Sequence, residues 1–390
     1  MEQKECYAYW LCSIPGVGNR TIERLLKVFG SPEAIYNASE AEWARILKPA
    51  QLAEMIRHRQ EWKLQEEYER LAEKGIVFLQ KESAVYPKRL QEIPDAPYGI
   101  FVKGQLPKEE QLSVAVIGAR ECSEYGRYVA EALGRALGEN GIQVISGMAR
   151  GIDSISQEAA LRAGGTSIAV LGSGVDVCYP SRNKALYDSI QKQGGILSAY
   201  PPGTPPRSGN FPPRNRIVSG LADAVVVIEA RSKSGTLITV DMALEQGKEV
   251  YVVPGRVTDR LSDGCNRLLK QGAGVLLNPE EFIAEMRQLW ERQRENHLVL
   301  QRAEAAQGRK VDSDVPEMET GYFAAEGGAE EDLIYNALDL YPKSTEQLLS
   351  CLAGQYTVAR LNSRLMQLCL QGRAEQVSPG HFVKKDCHWV

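Results

Sequence analysis

Paired cysteines, metal-ligand clusters, nucleotide loops and long apolar runs are all missing from this chain. Its eight cysteines are scattered, with no C-x-x-C and no histidine partners at metal spacing. They read as reduced thiols in a cytoplasmic protein, and a zinc site is disfavoured. No apolar run approaches the ~18 residues of a membrane span, and no signal-peptide pattern opens the chain. There is no G-x-x-x-x-G-K-[ST], which disfavours a P-loop ATPase, and no G-x-G-x-x-G dinucleotide fingerprint. An overall basic charge is also lacking: 46 Lys and Arg stand against 50 Asp and Glu, a net charge of −4. Binding to a nucleic acid would therefore need a local patch rather than the field of the whole molecule. One such patch is marked by a second absence. From Ser189 to Ala222 there is no acidic residue, while Lys192, Arg207, Arg214 and Arg216 are present.

What is present is an ordinary globular composition, 43% hydrophobic and 25% charged, in 390 residues. That length calls for two or three domains. Residues 1–75 carry apolar positions at helical spacing and read as a helical domain. Within it, Ile14-Pro15-Gly16-Val17-Gly18-Asn19-Arg20 resembles a helix-hairpin-helix turn (a SAM-like arrangement), either approaching a DNA phosphate through its glycines or simply joining two helices. Residues 76–292 form the central domain. It opens with a connecting segment of short strands at Val77–Leu79 and Tyr98–Val102. Short apolar runs then alternate with helical patterns: Val114–Ile117, Gln143–Ser146, Ser167–Leu171, Ile196–Ala199, Ala224–Ile228, Val250–Val253 and Val275–Leu277. This alternation predicts an α/β fold, a Rossmann-like doubly wound and mostly parallel sheet. Residues 293–332 read as a solvated acidic linker; Arg294–Asp332 holds ten acidic residues and four basic ones. In residues 333–390, three helical patterns precede two short strands at Arg373–Gln376 and His381–Lys384, the outline of a winged-helix-like domain, with six basic and four acidic residues.

In a doubly wound sheet, ligands bind beyond the carboxyl ends of the strands. The densest chemistry there runs from Asn210 to Thr236. Phe211, two prolines and Arg214-Asn215-Arg216 precede a strand, and Ser234-Gly235-Thr236 then opens a helix whose free N–H groups would suit an anion. Other strand ends bring Gly118-Ala119-Arg120, Ser146-Gly147 with Arg150, Gly172-Ser173-Gly174, Tyr179 with Arg182-Asn183-Lys184, and Gly264-Cys265-Asn266. The candidate nucleic-acid-binding residues are thus Gly118, Arg120, Ser146, Gly147, Arg150, Gly172, Gly174, Arg182, Asn183, Lys184, Phe211, Arg214, Asn215, Arg216, Ser234, Gly235, Thr236 and Asn266. Arginines would hold phosphates, and Phe211 and Tyr179 would either stack bases or pack in the core, the core role suiting Tyr179 better. Arg120 and Arg214 are expected to face solvent and to share a groove with Arg216. Asp153 and Asp176 are expected to fix loops rather than act as catalytic acids. No catalytic residue, metal or cofactor is expected.

With these residues in view, the chain resembles the DprA/Smf family of DNA-processing proteins from about Tyr86 to Pro279. The matching motifs are Gly118-Ala119-Arg120 with Ser123 and Tyr125-Gly126, Ser146–Asp153, Gly172–Asn183, Phe211–Gly220, Ser234–Thr239, Val253–Gly255 and Gly264–Ala273. One departure is Ala119, where the family usually has serine. The resemblance implies a non-enzymatic single-stranded-DNA binder that delivers RecA onto strands taken up in natural transformation, and a homodimer formed through the central domain. A second resemblance covers Arg214–Thr239, to nucleotide phosphoribohydrolases whose pattern ends P-G-G-x-G-T-x-x-E. Here Thr239 occupies the position of that glutamate, so the phosphate cradle would survive without the carboxylate that stabilises a ribosyl cation.

Overall fold

A computed structural model describes residues 2–291 continuously and, in the tail, residues 334–335, 337–338, 343–352, 361, 364–365, 368–369, 373–378 and 381–384. The expected acidic linker and much of the third helical pattern expected in the tail (Thr357–Gln371) lie outside the described residues. Two compact units partition the chain, Met1–Gly308 and Arg309–Val390. No described helix is long and apolar enough to cross a membrane.

The first unit begins with six helices: α1 (Glu2–Ser13), α2 (Asn19–Phe29), α3 (Pro32–Asn37), α4 (Glu40–Ala44), α5 (Pro49–Glu61) and α6 (Leu64–Glu73). Between α1 and α2, Gly16 adopts a φ of 75°, in the left-handed region that favours glycine. Its carbonyl accepts from Gln51 Nε2 at 2.9 Å, which ties the turn to α5. Buried side chains of these helices share one apolar cluster with Phe101, Ala169 and Ile196 of the sheet.

The sheet has nine strands: β1 (Val77–Gln80), β2 (Gly99–Gly104), β3 (Ser113–Ile117), β4 (Gln143–Ser146), β5 (Ser167–Val170), β6 (Gly195–Ser198), β7 (Ala224–Val227), β8 (Glu249–Val252) and β9 (Gly274–Val275). Their order is β1-β2-β6-β5-β4-β3-β7-β8-β9. From β6 to β9 every pairing is parallel, whereas β1 and β2 add antiparallel strands at one edge. The segment expected to be a connector thus extends the central sheet. Its Tyr86–Leu90 part includes the start of a short helix, α7 (Lys88–Gln91). The remaining strands of this sheet start and end within two residues of the positions expected from the apolar runs.

Alternation within each strand splits the core into two layers. Val114, Val116, Val144, Ala224 and Val226 face α8 (Glu124–Glu139), α9 (Ile152–Arg162) and a helix over residues 279–291. Ala115, Ile117, Ile145, Val225 and Val227 face α11 (Phe211–Gly220) and α12 (Gly235–Glu245). A further helix, α10 (Lys184–Gln193), follows β5, and α13 (Asp263–Lys270) precedes β9. Because β3 pairs with β4 on one side and β7 on the other, the chain reverses direction across the sheet at β3. That reversal opens the crevice where doubly wound folds bind ligands. At the opposite end of β3, Asp223 accepts from the Ser113 N–H at 2.8 Å and pairs with the largely buried Arg89 at 3.1 Å, anchoring the strand from below.

In the second unit, β10 (Lys343–Ser344), β11 (Ala374–Ser378) and β12 (His381–Lys384) form an antiparallel sheet ordered β10-β12-β11, beside a helix over Thr345–Cys351. Leu348, Leu361, Leu365, Leu368 and Phe382 are buried together.

The helical region contains a pH-sensitive element. His58 on α5 is 8% exposed, lies 4.5 Å from the Trp62 ring, and its Nε2 finds no partner among the described residues. Burial, reinforced by Arg57, lowers its pKa from 6.5 to about 4. The fold therefore holds a neutral ring, and below pH 6.5 the unfolded chain takes up a proton that the folded one refuses. Stability should be constant above pH 6.5 with respect to this group and fall as pH drops toward 4, by on the order of 2–3 kcal/mol. Urea unfolding at pH 7.5, 6 and 4.5 should show a shallower decline in His58→Phe than in the wild type. Parallel declines would rule His58 out as the titrating group.

Candidate nucleic-acid interface

At the carboxyl ends of β3, β4 and β5, the strands give way to small residues because other groups must come close. A Cβ on Gly147 would strike the Arg214 guanidinium, and one on Gly172 would strike the Phe211 ring. Between these ends lies a cavity of about 50 Å³ lined by Arg120, Gly147, Ala149, Arg150, Leu171, Gly172, Ser173, Tyr179, Pro180, Phe211 and Arg214. Six of the residues expected from sequence therefore meet in one place: Arg120, Gly147, Arg150, Gly172, Phe211 and Arg214.

Phe211 is the centre of the arrangement. It begins α11, with Pro212 and Pro213 in the first turn, where a missing N–H costs no helical hydrogen bond. The helix start is fixed by Asn210, whose Nδ2 donates to the Gly172 carbonyl at 2.9 Å, and by Tyr200, whose hydroxyl donates to the Asn210 carbonyl at 3.2 Å. Around the half-buried ring stand the Arg120 guanidinium at 5.6 Å, the Arg214 guanidinium at 5.7 Å and the Tyr179 ring at 5.9 Å. Tyr179 is 44% exposed and does not serve as a core side chain. Arg120 is exposed and has no ion pair or hydrogen bond to a described residue. Arg150 is partly neutralised by Glu121 at 3.6 Å.

Arg214 does not face solvent as expected; it is 5% exposed. Its Nη1 donates to the carbonyls of Gly147, at 2.6 Å, and Val170. Burial lowers its pKa from the ordinary arginine value and the nearby Asp153 opposes that shift. Asp153 is likewise raised by burial and held back by Arg214, while its carboxylate accepts the Gly147 N–H at 3.1 Å. Asp176 accepts the Gly203 N–H at 2.7 Å, so both aspartates do fix loops.

Several expected residues are placed elsewhere. Arg214 and Arg216 lie two apart on a helix and so cannot share a face. Arg216 instead pairs with Glu245 at 2.9 Å and reaches the Pro94 carbonyl. Asn215 is half-buried outside the cavity lining. Arg182 is exposed beyond the cavity, Asn183 donates to the Met148 carbonyl, and Lys184 pairs with Asp188. Ser146 is buried and donates to the Val116 carbonyl, and Gly174 gives room to the Pro201 carbonyl and the Asp176 carboxylate. At the α12 terminus, some of the groups expected to hold an anion are engaged within the protein. Ser234 caps its own helix by accepting the Thr236 N–H at 3.0 Å; Gly235 follows it, and Thr236 Oγ1 donates to the Gly118 carbonyl at 3.3 Å. Asn266 binds both the N–H and the carbonyl of Gly255. These groups build the loops. One supporting residue escaped the sequence reading: Glu229, 1% exposed just after β7, accepts from the Ser123 N–H at 2.9 Å and from its hydroxyl, and Gly126 packs directly on it. Its signal was an acidic residue closing an apolar strand. Thr239 is buried on α12.

The fold and site define a Rossmann-like α/β protein whose sheet end carries a cationic, aromatic-lined cavity. A family model described as DNA recombination-mediator protein A matches residues 77–287. DNA processing protein DprA of Streptococcus pneumoniae is 44% identical over 200 residues, 51% of this chain and 71% of that protein. Protein Smf of Synechocystis sp. is 34% identical over 287 residues, 72% of each chain. The X-ray structure of DprA from Streptococcus pneumoniae aligns with a TM-score of 0.62 at 35% identity, covering 72% of this chain and 97% of that one. The chain belongs to the DprA/Smf family of DNA recombination mediators.

The two central arginines should separate cleanly in stability measurements. Removing Arg214 leaves Asp153 without its compensating charge and two strand-end carbonyls without their donor, so Arg214→Ala should cost about 3 kcal/mol in urea unfolding. Arg214→Lys should recover little, because an ammonium cannot reproduce the planar fork. Arg120→Ala should stay within about 0.5 kcal/mol of the wild type. An Arg214→Ala protein as stable as the wild type would show that the guanidinium does not tie the strand ends together.

Proposed function

We propose that this chain binds single-stranded DNA through the Arg120–Phe211 cavity, shields the strand and loads RecA onto it. The observation that carries the reading is an exposed Arg120, unpaired among the described residues, beside an aromatic ring at the sheet's carboxyl end. A guanidinium can hold a phosphate while a ring stacks a base, a combination that tolerates any sequence. Family membership supports the same role. On this reading the protein works in the cytoplasm, as a homodimer through the central domain, with single-stranded DNA and RecA as partners. In sequence, the SAM-like helical head precedes the binding domain and the winged-helix-like tail follows it.

Labelled oligonucleotides of equal length, single- and double-stranded, test the proposal over a salt series. Single strands should bind more tightly, and affinity should fall with salt. Arg120→Ala should cost about 1.5–3 kcal/mol, the range of a charge-assisted contact. Phe211→Ala should cost ~1–3 kcal/mol, and the double variant less than the sum because both groups serve one nucleotide. Equal affinity for blunt duplex, or wild-type binding by both variants, would defeat the reading. The protein should hydrolyse neither ATP nor the base–sugar bond of nucleoside monophosphates. Release of base that disappears in Arg120→Ala would instead favour the ribohydrolase-like alternative.

A further inference from the structure

The cavity is small and opens to solvent at the exposed Arg120 and Tyr179, so a strand of several nucleotides bound there must continue outside it. Across the β3 crevice, the carboxyl ends of β7 and β8 carry a second set of cations that the sequence reading left unassigned. Arg231 and Lys233 lie in the loop after β7, and Arg256 and Arg260 in the loop after β8. All four are exposed, and no side chain among them has an ion pair or hydrogen bond to a described residue. Both loops lie at the same end of the parallel sheet as the cavity. With neighbouring strands roughly 4.8 Å apart, the end of β8 is about 14 Å from that of β4.

These cations sit on a fixed backbone. The Ala230 N–H donates to the Leu261 carbonyl at 2.8 Å and the Ala230 carbonyl accepts the Gly264 N–H at 2.8 Å, so the two loops are joined to each other. Asn266 holds Gly255 from both sides, at 3.3 and 3.1 Å. The Asp259 N–H donates to the Arg256 carbonyl at 3.0 Å, closing a turn between the two arginines. Two of the nearby acids are held by other groups, and Glu124 faces Arg127. Asp259 accepts the Leu261 N–H, Glu229 is satisfied by Ser123, and Glu124 lies 3.8 Å from Arg127. An aromatic stands at the border: Tyr125 is 49% exposed, and its hydroxyl donates to the Pro254 carbonyl at 3.2 Å.

The geometry points to a second phosphate-binding surface, formed by Arg231, Lys233, Arg256 and Arg260, that carries the single strand onward from the Arg120–Phe211 cavity across the β3 crevice. The inference rests on the proposed single-strand reading and extends its footprint. Phosphates bind there without base selection, with Tyr125 offering a ring to an intervening base.

The test compares oligo-dT of about 5 nucleotides with oligo-dT of about 20 nucleotides, lengths that bracket the span of one small binding module. Arg256→Ala/Arg260→Ala should weaken the long oligonucleotide roughly tenfold and lower its salt slope by about 1.4, at ~0.7 per lost phosphate on a single strand. The short oligonucleotide, held by the cavity, should bind as in the wild type. Arg120→Ala should weaken both lengths. The pair Arg231→Ala/Lys233→Ala, on the other loop, should repeat the length-dependent loss and guards against one loop misfolding; circular dichroism checks both. If both pairs bind the long strand with wild-type affinity and slope while Arg120→Ala does not, the second surface is wrong and the cavity stands. If Arg120→Ala is also silent, the single-strand reading falls with it.

Discussion

The Arg214 guanidinium donates to the carbonyls that close two neighbouring strands, Gly147 after β4 and Val170 at the end of β5. Much of the site follows from that placement. Gly147 must lack a side chain because the guanidinium occupies the space, and α11 must begin where it does for Arg214 to reach inward. The start of α11 in turn places Phe211 over Gly172, whose own lack of a Cβ admits the ring. A buried cation is expensive, and Asp153 offsets the cost at the start of α9 while gripping the Gly147 N–H from the other side. Three strand-end loops and two helix starts are thereby locked around one charge.

This arrangement divides the arginines by role. Arg214 is a structural part of the floor, Arg216 is turned away to Glu245, and Arg120 alone of the three remains exposed and unpaired to described residues. The division comes from helix geometry rather than composition. In an extended loop the Arg-Asn-Arg triplet could present both arginines together, as alternate residues of a strand do. In a helix the same spacing sends them to opposite sides. A buried guanidinium also contributes positive potential in a poorly solvated floor, where a charge is screened less than at the surface.

The fold was legible because buried parallel strands leave an unmistakable trace. Ala224 to Val227 is apolar at every position, and its neighbours on both sides of the sheet read the same way. The site was legible only at the level of loops. Glycine at a strand end says that something approaches closely, but not what, so Gly147 and Gly172 marked two close approaches without naming Arg214 and Phe211 as the approaching groups. Ser234, Thr236 and Asn266 looked like ligand donors because the same hydroxyl and amide groups that bind anions also cap helices and brace loops. The antiparallel edge was missed because β1 and β2 lie before the alternating βα pattern begins, and pairing between distant segments leaves no local periodicity. Glu229 was missed because its partner, Ser123, is more than a hundred residues away.

A chain with net negative charge can still present a cationic surface to a polyanion if its acids at that surface are already occupied. At this sheet end Asp153 takes the Gly147 N–H, Asp176 the Gly203 N–H, Glu229 the Ser123 N–H and Asp259 the Leu261 N–H. Each carboxylate is turned toward backbone donors, which hold it close to the protein and away from the outer face of the loops. The side chains of Arg120, Arg231, Arg256 and Arg260 have no ion pair or hydrogen bond to a described residue and are exposed. The same hydrogen bonds that shape the loops thus hold these four acids back, while Arg214 stays in the floor and Arg120 remains exposed. The local field at the carboxyl ends of the strands is set by that sorting, and the overall charge of −4 has little bearing on it.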